Sequence, residues 1–195
     1  KSRFSDGLMG GQFDAHSPEE LRDKLLAYYT VDGYSAEVTI DGDLVRVKVD
    51  QKDLEQSQKE FNEITTLCEK RQFEEAHSRL VQFLKKHSRH SEGYRILAQM
   101  EMEAGNIDKA IDINIEALKC DPKNAWALLL MGNLYSKYKD DYEVGRTYYD
   151  SVLKYSPDNF IAINNIAAIM MEKNDYEHAI PMFEQVLKGD KKYAN

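Results

Sequence analysis

Cysteine is scarce in this chain: Cys68 and Cys120 stand alone, far apart, and form no CxxC pair. That spacing argues against a disulfide framework or a thiolate zinc site and leaves partly buried thiols. Long apolar runs are missing as well. The longest, Ala125 to Met131, falls well short of the roughly 20 residues a membrane-spanning helix needs, so this segment does not insert in a bilayer. Basic charge is in deficit, with 26 Lys and Arg against 34 Asp and Glu and a net charge of −8. No basic stripe is available to displace counterions from nucleic acid, and partners with neutral or basic segments suit this surface better. The chain opens on "KSRF" without methionine, so the lack of a visible leader excludes nothing upstream. No compartment is assigned.

The 195 residues are 42% hydrophobic, enough for one or two cores, and only four prolines interrupt them. Two of those prolines punctuate a repeat. "KCDPKNAW" and "KYSPDNFI" each close one apolar-periodic segment and open the next, with Pro122 and Pro157 in matching places. In register, residues 91–124 carry Leu97, Ala98, Ala110, Asn114, Ala117 and Pro122. Residues 125–159 carry Met131, Gly132, Gly145, Tyr149, Val152 and Pro157. Residues 160–193 carry Ile166, Ala167, Ala179, Phe183 and Val186, and residues 57–90 carry Ala76, Leu80 and Phe83. Apolar positions three and four apart predict two amphipathic helices per unit, joined at "EAGNID", "KYKDDYE" and "EKNDYE". The longer third unit places its extra residue in "KYKDDYE", where a turn is expected to absorb it.

Glycine inside a helix costs about 1 kcal/mol relative to alanine, so Gly132 in "AWALLLMGNLYSKY" needs a reason. Small residues recur at its place (Ala98, Gly132, Ala167) and at a second (Ala76, Ala110, Gly145, Ala179). The recurrence predicts close helix packing there.

The motif Leu128-x-x-Met131-Gly132-x-x-Tyr135, then Gly145-x-x-x-Tyr149 and Pro157, resembles the tetratricopeptide repeat. The resemblance covers residues 57–193 as four units of about 57–90, 91–124, 125–159 and 160–193. In the first, strict register puts Glu60 and Glu63 at apolar places. A one-residue shift restores Phe61, Ile64 and Cys68 and predicts a short turn near Arg71. Pro181 is a second departure and is expected to bend the last helix.

Residues 1–16, with "SDGLMGGQF", read as a flexible arm and lack the Lys-Ser/Thr of a phosphate loop. Residues 17–50 read as a helix plus β-hairpin module. Ser17, Pro18 and Glu20 form a helix start with a capping box, and Asp41-Gly42 sits between alternating strands. Leu21, Leu25, Leu26 and Tyr29 are expected to cover the hairpin, which is marginal alone. The fold class is therefore mainly α: a right-handed superhelical solenoid over residues 51–195, preceded by this small α+β module. The chain closes on "KGDKKYAN" where another repeat helix would begin, with no polar capping helix, and this predicts continuation.

Little chemistry is visible. His87 and His90, in "KKHSRHSE", fall at a helix end and turn, where basic residues answer the helix dipole, with His77 earlier in the chain, and Asp14, His16, Glu19 and Glu20 belong to a helix start. No catalysis, metal or cofactor is expected. The resemblance implies instead a concave face built from the first helix of each pair, which holds an extended peptide or a partner's helix. Carried over by position, the lining is Arg95, Gln99 and Met102, then Trp126, Leu129, Asn133 and Ser136, then Ile161, Asn164, Asn165 and Ala168, with Phe61, Asn62 and Thr65 extending it. Asparagine amides can pair with a peptide backbone, Trp126 and Leu129 with an apolar anchor, and Arg95 with an acidic one. The carboxylate clamp of chaperone adaptors in this family is not matched, since Leu130, Ile161 and Asn165 stand at its other places. A non-catalytic protein-interaction scaffold is the expected function. The alternatives are a self-assembling scaffold that uses the hairpin and solenoid ends to form a homo-oligomer, or the recognition arm of a larger enzyme.

Overall fold

The structure is a computed structural model that describes residues 15–30, 35–42 and 44–193. The elements run α1 (Pro18–Thr30), β1 (Ala36–Asp41), β2 (Leu44–Val49), α2 (Gln51–Glu69), α3 (Phe73–Lys86), α4 (Ser91–Glu103), α5 (Ile107–Cys120), α6 (Ala125–Asn133), α7 (Tyr142–Tyr155), α8 (Phe160–Glu172) and α9 (Tyr176–Tyr193). The chain divides into two compact units between Arg89 and His90. The division passes between the first and second helix pairs of the segment expected to form one solenoid.

In the first unit, Ser17 Oγ accepts from the Glu20 amide and Glu20 accepts from the His16 amide, a reciprocal cap that fixes the start of α1. Lys24 and the His16 amide together hold the Glu20 carboxyl below its ordinary range. Asp14 and the N-terminal arm up to it lie outside the described residues. Strands β1 and β2 pair antiparallel with Val38 opposite Val47 and Ile40 opposite Val45. Leu21 and Leu25 of α1 bury Val38 against this face, and Ile40, Val45, Val47, Leu26 and Tyr29 pack around them. The helix covers the hairpin as its apolar stripe requires, but Leu44, at the turn, stays exposed. In α2 and α3, Phe61, Ile64, Ala76, Leu80 and Phe83 are buried, with Cys68 half-buried.

The second unit contains three helix pairs, α4–α5, α6–α7 and α8–α9. All seven recurrent small residues, the six here and on α3 that line the packing plus Gly145, are buried. Two clusters fill this unit. Ala98, Ala110, Ile111, Leu130, Met131 and Leu134 form one, and Leu128, Leu129, Tyr149, Val152, Ala162, Ile166 and Ile169 form the other. Helix α6 contributes to both, which explains why "ALLLM" is apolar on every face: it has no solvent side to keep polar.

The first helix of each pair ends in the same way. Arg71, Gly105, Asp140 and Asn174 have φ of 59°, 84°, 54° and 59°. After Arg71, Gly105 and Asn174, the next amide reaches back five residues (Gln72 to Leu67, Asn106 to Glu101, Asp175 to Met170). These are left-handed C-terminal caps of the Schellman type. At the third pair the equivalent bond runs from Asp141 to Tyr135 and spans six. The extra residue is absorbed inside the helix, where Leu134–Tyr138 is π-helical, and not in the connecting turn as the sequence suggests. Helix α9 continues through Pro181. Both Pro181 and Glu177, whose carbonyl loses its donor, are exposed, so solvent can satisfy the freed group.

Candidate functional site

The expected lining lies on α4, α6 and α8, the first helices of the pairs in the second unit, and each of these is started by a side-chain cap. His90 Nδ1 accepts from the Gly93 amide, Asn124 from Ala127, and Asn159 from Ala162. Asn124 also donates to Ser91 Oγ at 2.9 Å, and Ser91 donates to the Ala117 carbonyl at 2.8 Å, which ties the start of α6 to the preceding pair.

On α4 the polar residues satisfy one another. Arg95 donates to Glu92 through Nε and Nη2 at 2.9 and 2.7 Å and to Gln99 Oε1 through Nη1 at 2.7 Å, and Gln99 donates to Glu103 at 3.0 Å. Arg95 is therefore already neutralised by Glu92, which weakens its expected role as anchor for an acidic ligand. Met102 is half-buried and packs against the Ala98–Leu134 cluster.

On α6, Trp126 is 58% exposed and Leu129 only 4%. The expectation of Leu129 as an apolar contact is corrected: it faces inward onto Tyr149 and Ile166, because α6 is enclosed by both clusters. Asn133 is half-buried and Tyr149 donates to its Oδ1 at 2.8 Å. The Tyr149 hydroxyl also lies 3.2 Å from Ser136 Oγ, and Ser136 bonds the Gly132 carbonyl at 2.7 Å. Burial raises the Tyr149 hydroxyl pKa, partly offset by Ser136, and burial and Tyr135 raise that of Tyr148. On α8, Asn164 and Ala168 are exposed, Asn165 and Ile161 half-buried.

The π-helical segment, α7 and α8 enclose a cleft of about 310 Å³ lined by Ser136, Tyr142, Tyr149, Asn165, Ala168 and Ile169, with Lys137, Asp140 and Glu172 at its edge. Ser136, Asn165 and Ala168 of the expected lining come together here with residues the sequence reading did not place. Tyr149 was legible only as packing, and Tyr142, Asp140 and Glu172 carried no signal. Among the described residues, no histidine or cysteine lines the cleft, and the Ser136 hydroxyl is held by its own helix carbonyl. The arrangement offers amide, hydroxyl and carboxylate groups for hydrogen bonding and no activated nucleophile.

In the first unit Phe61 is buried, Asn62 accepts from Gln58, and the Asn62 carbonyl takes Thr65 and Thr66. His87 is buried against Phe83 with ring centroids 4.4 Å apart. Among the described residues no group of three metal-ligating side chains occurs, and no helix is long and apolar enough to cross a membrane.

Residues 61–125 match the tetratricopeptide repeat family. The chain is 28% identical over 116 residues to the BBSome complex member BBS4 of Bos taurus, a match covering 60% of this chain and 22% of that protein. The chain thus spans about a fifth of the length of this relative. The solved structure of MamA superposes with a TM-score of 0.62 at 19% identity, covering 71% of this chain and 80% of that one. That of PilW, a type IV pilus biogenesis factor, superposes with a TM-score of 0.63 at 16% identity over 69% and 62%. Both are likenesses of fold. A stack of helix pairs of this type is a protein–protein interaction scaffold. The recurrent small residues, the repeated caps, the matched segment and the neighbouring folds lead to one reading: residues 61–125 match the tetratricopeptide repeat, and the chain shares the helix-pair fold of MamA and PilW.

Proposed function

We propose that the face formed by α4, α6 and α8 binds an extended segment of a partner protein and performs no catalysis. The observation that carries this reading is the set of uncommitted amides beside the cleft. Asn164 and Asn165 make no side-chain hydrogen bond among the described residues, and Asn133 keeps its amide donors free after accepting from Tyr149. Such groups pair with the C=O and N–H of a peptide backbone. Trp126 supplies an exposed aromatic surface for an apolar side chain. With Arg95 paired to Glu92 and with Asp140 and Glu172 outnumbering Lys137 at the cleft edge, a neutral or basic segment is favoured over an acidic one.

Peptide-display selection on the 195-residue chain, followed by calorimetry of the selected peptide, tests the proposal. Asn165→Ala is expected to weaken that peptide by about 1 kcal/mol, roughly fivefold, with the unfolding midpoint unchanged. Asn133→Ala is the poorer probe because it also strands the Tyr149 hydroxyl. Unchanged affinity in the Asn164→Ala/Asn165→Ala double variant rules the face out.

A further inference from the structure

The cleft between the π-helical segment, α7 and α8 has walls rich in hydrogen-bond acceptors. Ser136 and Tyr149 are 5% and 0% exposed, and each hydroxyl carries a single proton. The Gly132 carbonyl takes that of Ser136 at 2.7 Å, and Asn133 Oδ1 takes that of Tyr149 at 2.8 Å. What either oxygen has left to offer is a lone pair. Asp140 and Glu172 add two exposed carboxylates at the edge, neither engaged in an ion pair among the described residues. Neighbouring lysines do not neutralise them, since Lys139 is paired to Asp108 and Lys173 to Glu143. Among the described residues that line the cleft, Lys137 is the one cation.

The remaining wall is carbon. Ile169 is buried, Ala168 presents a methyl group, and the ring of Tyr142 is half-buried. A long aliphatic stem with a donor-rich, positive head matches both halves. Arginine fits best: its stem lies along apolar surface, its guanidinium stacks on an aromatic ring, and its planar fork engages a carboxylate through two bonds. A carboxylate or phosphate would meet like charge, and a purely aliphatic group would desolvate acceptors without pairing them. The volume of about 310 Å³ is at the small end of ligand sites and has room for one side chain rather than a folded element.

The extra residue of the third repeat shapes this wall. Ser136 and Lys137 lie in the π-helical turn that absorbs it, and the first helices of the other pairs carry no such turn among the described residues. Single π turns inside helices recur at functional sites.

We infer that this cleft is a subsite for an arginine side chain, with Glu172 and Asp140 holding the guanidinium and Tyr142 and Ile169 flanking the stem. The inference rests on the peptide-binding reading and deepens it by naming a residue that the bound segment carries.

Nuclear magnetic resonance titration of the isotope-labelled 195-residue chain with Nα-acetyl-arginine N-methylamide tests the subsite without a peptide. The citrulline counterpart is the control, because it keeps the shape and loses the charge. The arginine compound is expected to shift the Asn165 side-chain amide and the Tyr142 backbone amide saturably, with a millimolar Kd about fivefold below that of citrulline. Asp140→Asn with Glu172→Gln is expected to abolish that preference. The circular-dichroism spectrum should stay as it is, because both side chains are exposed and asparagine tolerates the left-handed φ of 54°. Lys137→Gln removes a competing cation and is expected to tighten arginine about twofold. A titration without saturable shifts at Asn165 and Tyr142 overturns the inference. Equal binding of citrulline, or a preference for arginine that survives the double variant, overturns it equally. The two readings fail separately. A selected peptide that depends on Asn164 and Asn165, with no seat for blocked arginine, sinks the subsite and keeps the face. Arginine seated in the cleft, with no peptide dependent on those asparagines, removes the extended segment and keeps the subsite.

Discussion

At Gly132 a β-carbon would stand 2.3 Å from Cε1 of Tyr149, and at Gly145 one would stand 2.8 Å from Ser136 Cβ and 2.9 Å from the Gly132 carbonyl. The ring of Tyr149 cannot yield, since it is fully buried and its hydroxyl is held by Asn133 and Ser136. Alanine would gain about 1 kcal/mol of helix propensity. Overpacking of a fixed core typically costs about 1 to 3 kcal/mol, and a clash this short belongs at the upper end, so overpacking wins. Gly132→Ala is expected to destabilise the protein by about 2 kcal/mol net, read as a lowered urea midpoint with unchanged slope. At Ala98 the counterpart of Tyr149 is the smaller Asn114, which leaves room for a methyl group. Tyr149 itself has a pH signature. Its folded-state pKa is raised, so the native state keeps the phenolic proton after the unfolded chain has begun to lose it. The contribution is complete below the ordinary tyrosine value, near 10, and is lost as pH rises through and beyond it. Tyr149→Phe is expected to lose about 1 kcal/mol at neutral pH and to show a shallower decline of stability above about pH 10, measured by urea unfolding across pH.

At the scale of elements, the turns between paired helices are repeated to the level of single hydrogen bonds, yet only one uses the residue best suited to them. Gly105 adopts φ of 84° without a side chain, whereas Arg71, at 59°, holds a β-carbon in the left-handed region. Asn174 and Asp140 tolerate this conformation better than arginine does. Arg71→Gly is therefore expected to stabilise the protein by about 0.5 to 1 kcal/mol, seen as a rise in the thermal midpoint, and Gly105→Ala to destabilise it by a similar amount. A fall in midpoint for Arg71→Gly would mean the arginine side chain contributes more than its backbone strain costs. Much of this layer was legible in the sequence. The small residues at two recurrent places reported helix approach directly, because only glycine or alanine fits there. The shift of register in α2 followed from Phe61 and Ile64, whose burial no glutamate could replace. The π-helical turn was not legible. One extra residue per repeat can widen either a loop or a helix, and the choice rests on the Ser136–Gly132 and Tyr149–Ser136 bonds, which depend on tertiary contact. Leu129 was misplaced for a related reason. Position along a repeat assigns a side to each residue, but a helix enclosed by two clusters has more than one inward side.

For the molecule as a whole, the face proposed to bind a peptide and the two clusters that support it lie in the unit that begins at His90. Helix α6 contributes Leu128 and Leu129 to one cluster and Leu130, Met131 and Leu134 follow in the other, so neither cluster can melt without exposing the helix that serves both. The bond from Asn124 to Ser91 and from Ser91 to the Ala117 carbonyl adds a polar tie across the same junction. Repeat arrays are held together by neighbour contacts, and a set of three pairs with shared clusters meets the usual minimum for folding. Residues 90–195 expressed alone are expected to retain helical circular dichroism and to unfold in one urea transition with a slope of about 1 to 2 kcal/mol per molar. Two separated transitions would show that α6 does not couple the clusters. A helical but non-cooperative melt would show that residues before His90 are needed to fix the packing. In the cooperative case the same fragment should bind the selected peptide within about twofold of the full chain, since every lining residue from Arg95 to Ala168 is present in it, and isothermal titration of both proteins compares them directly.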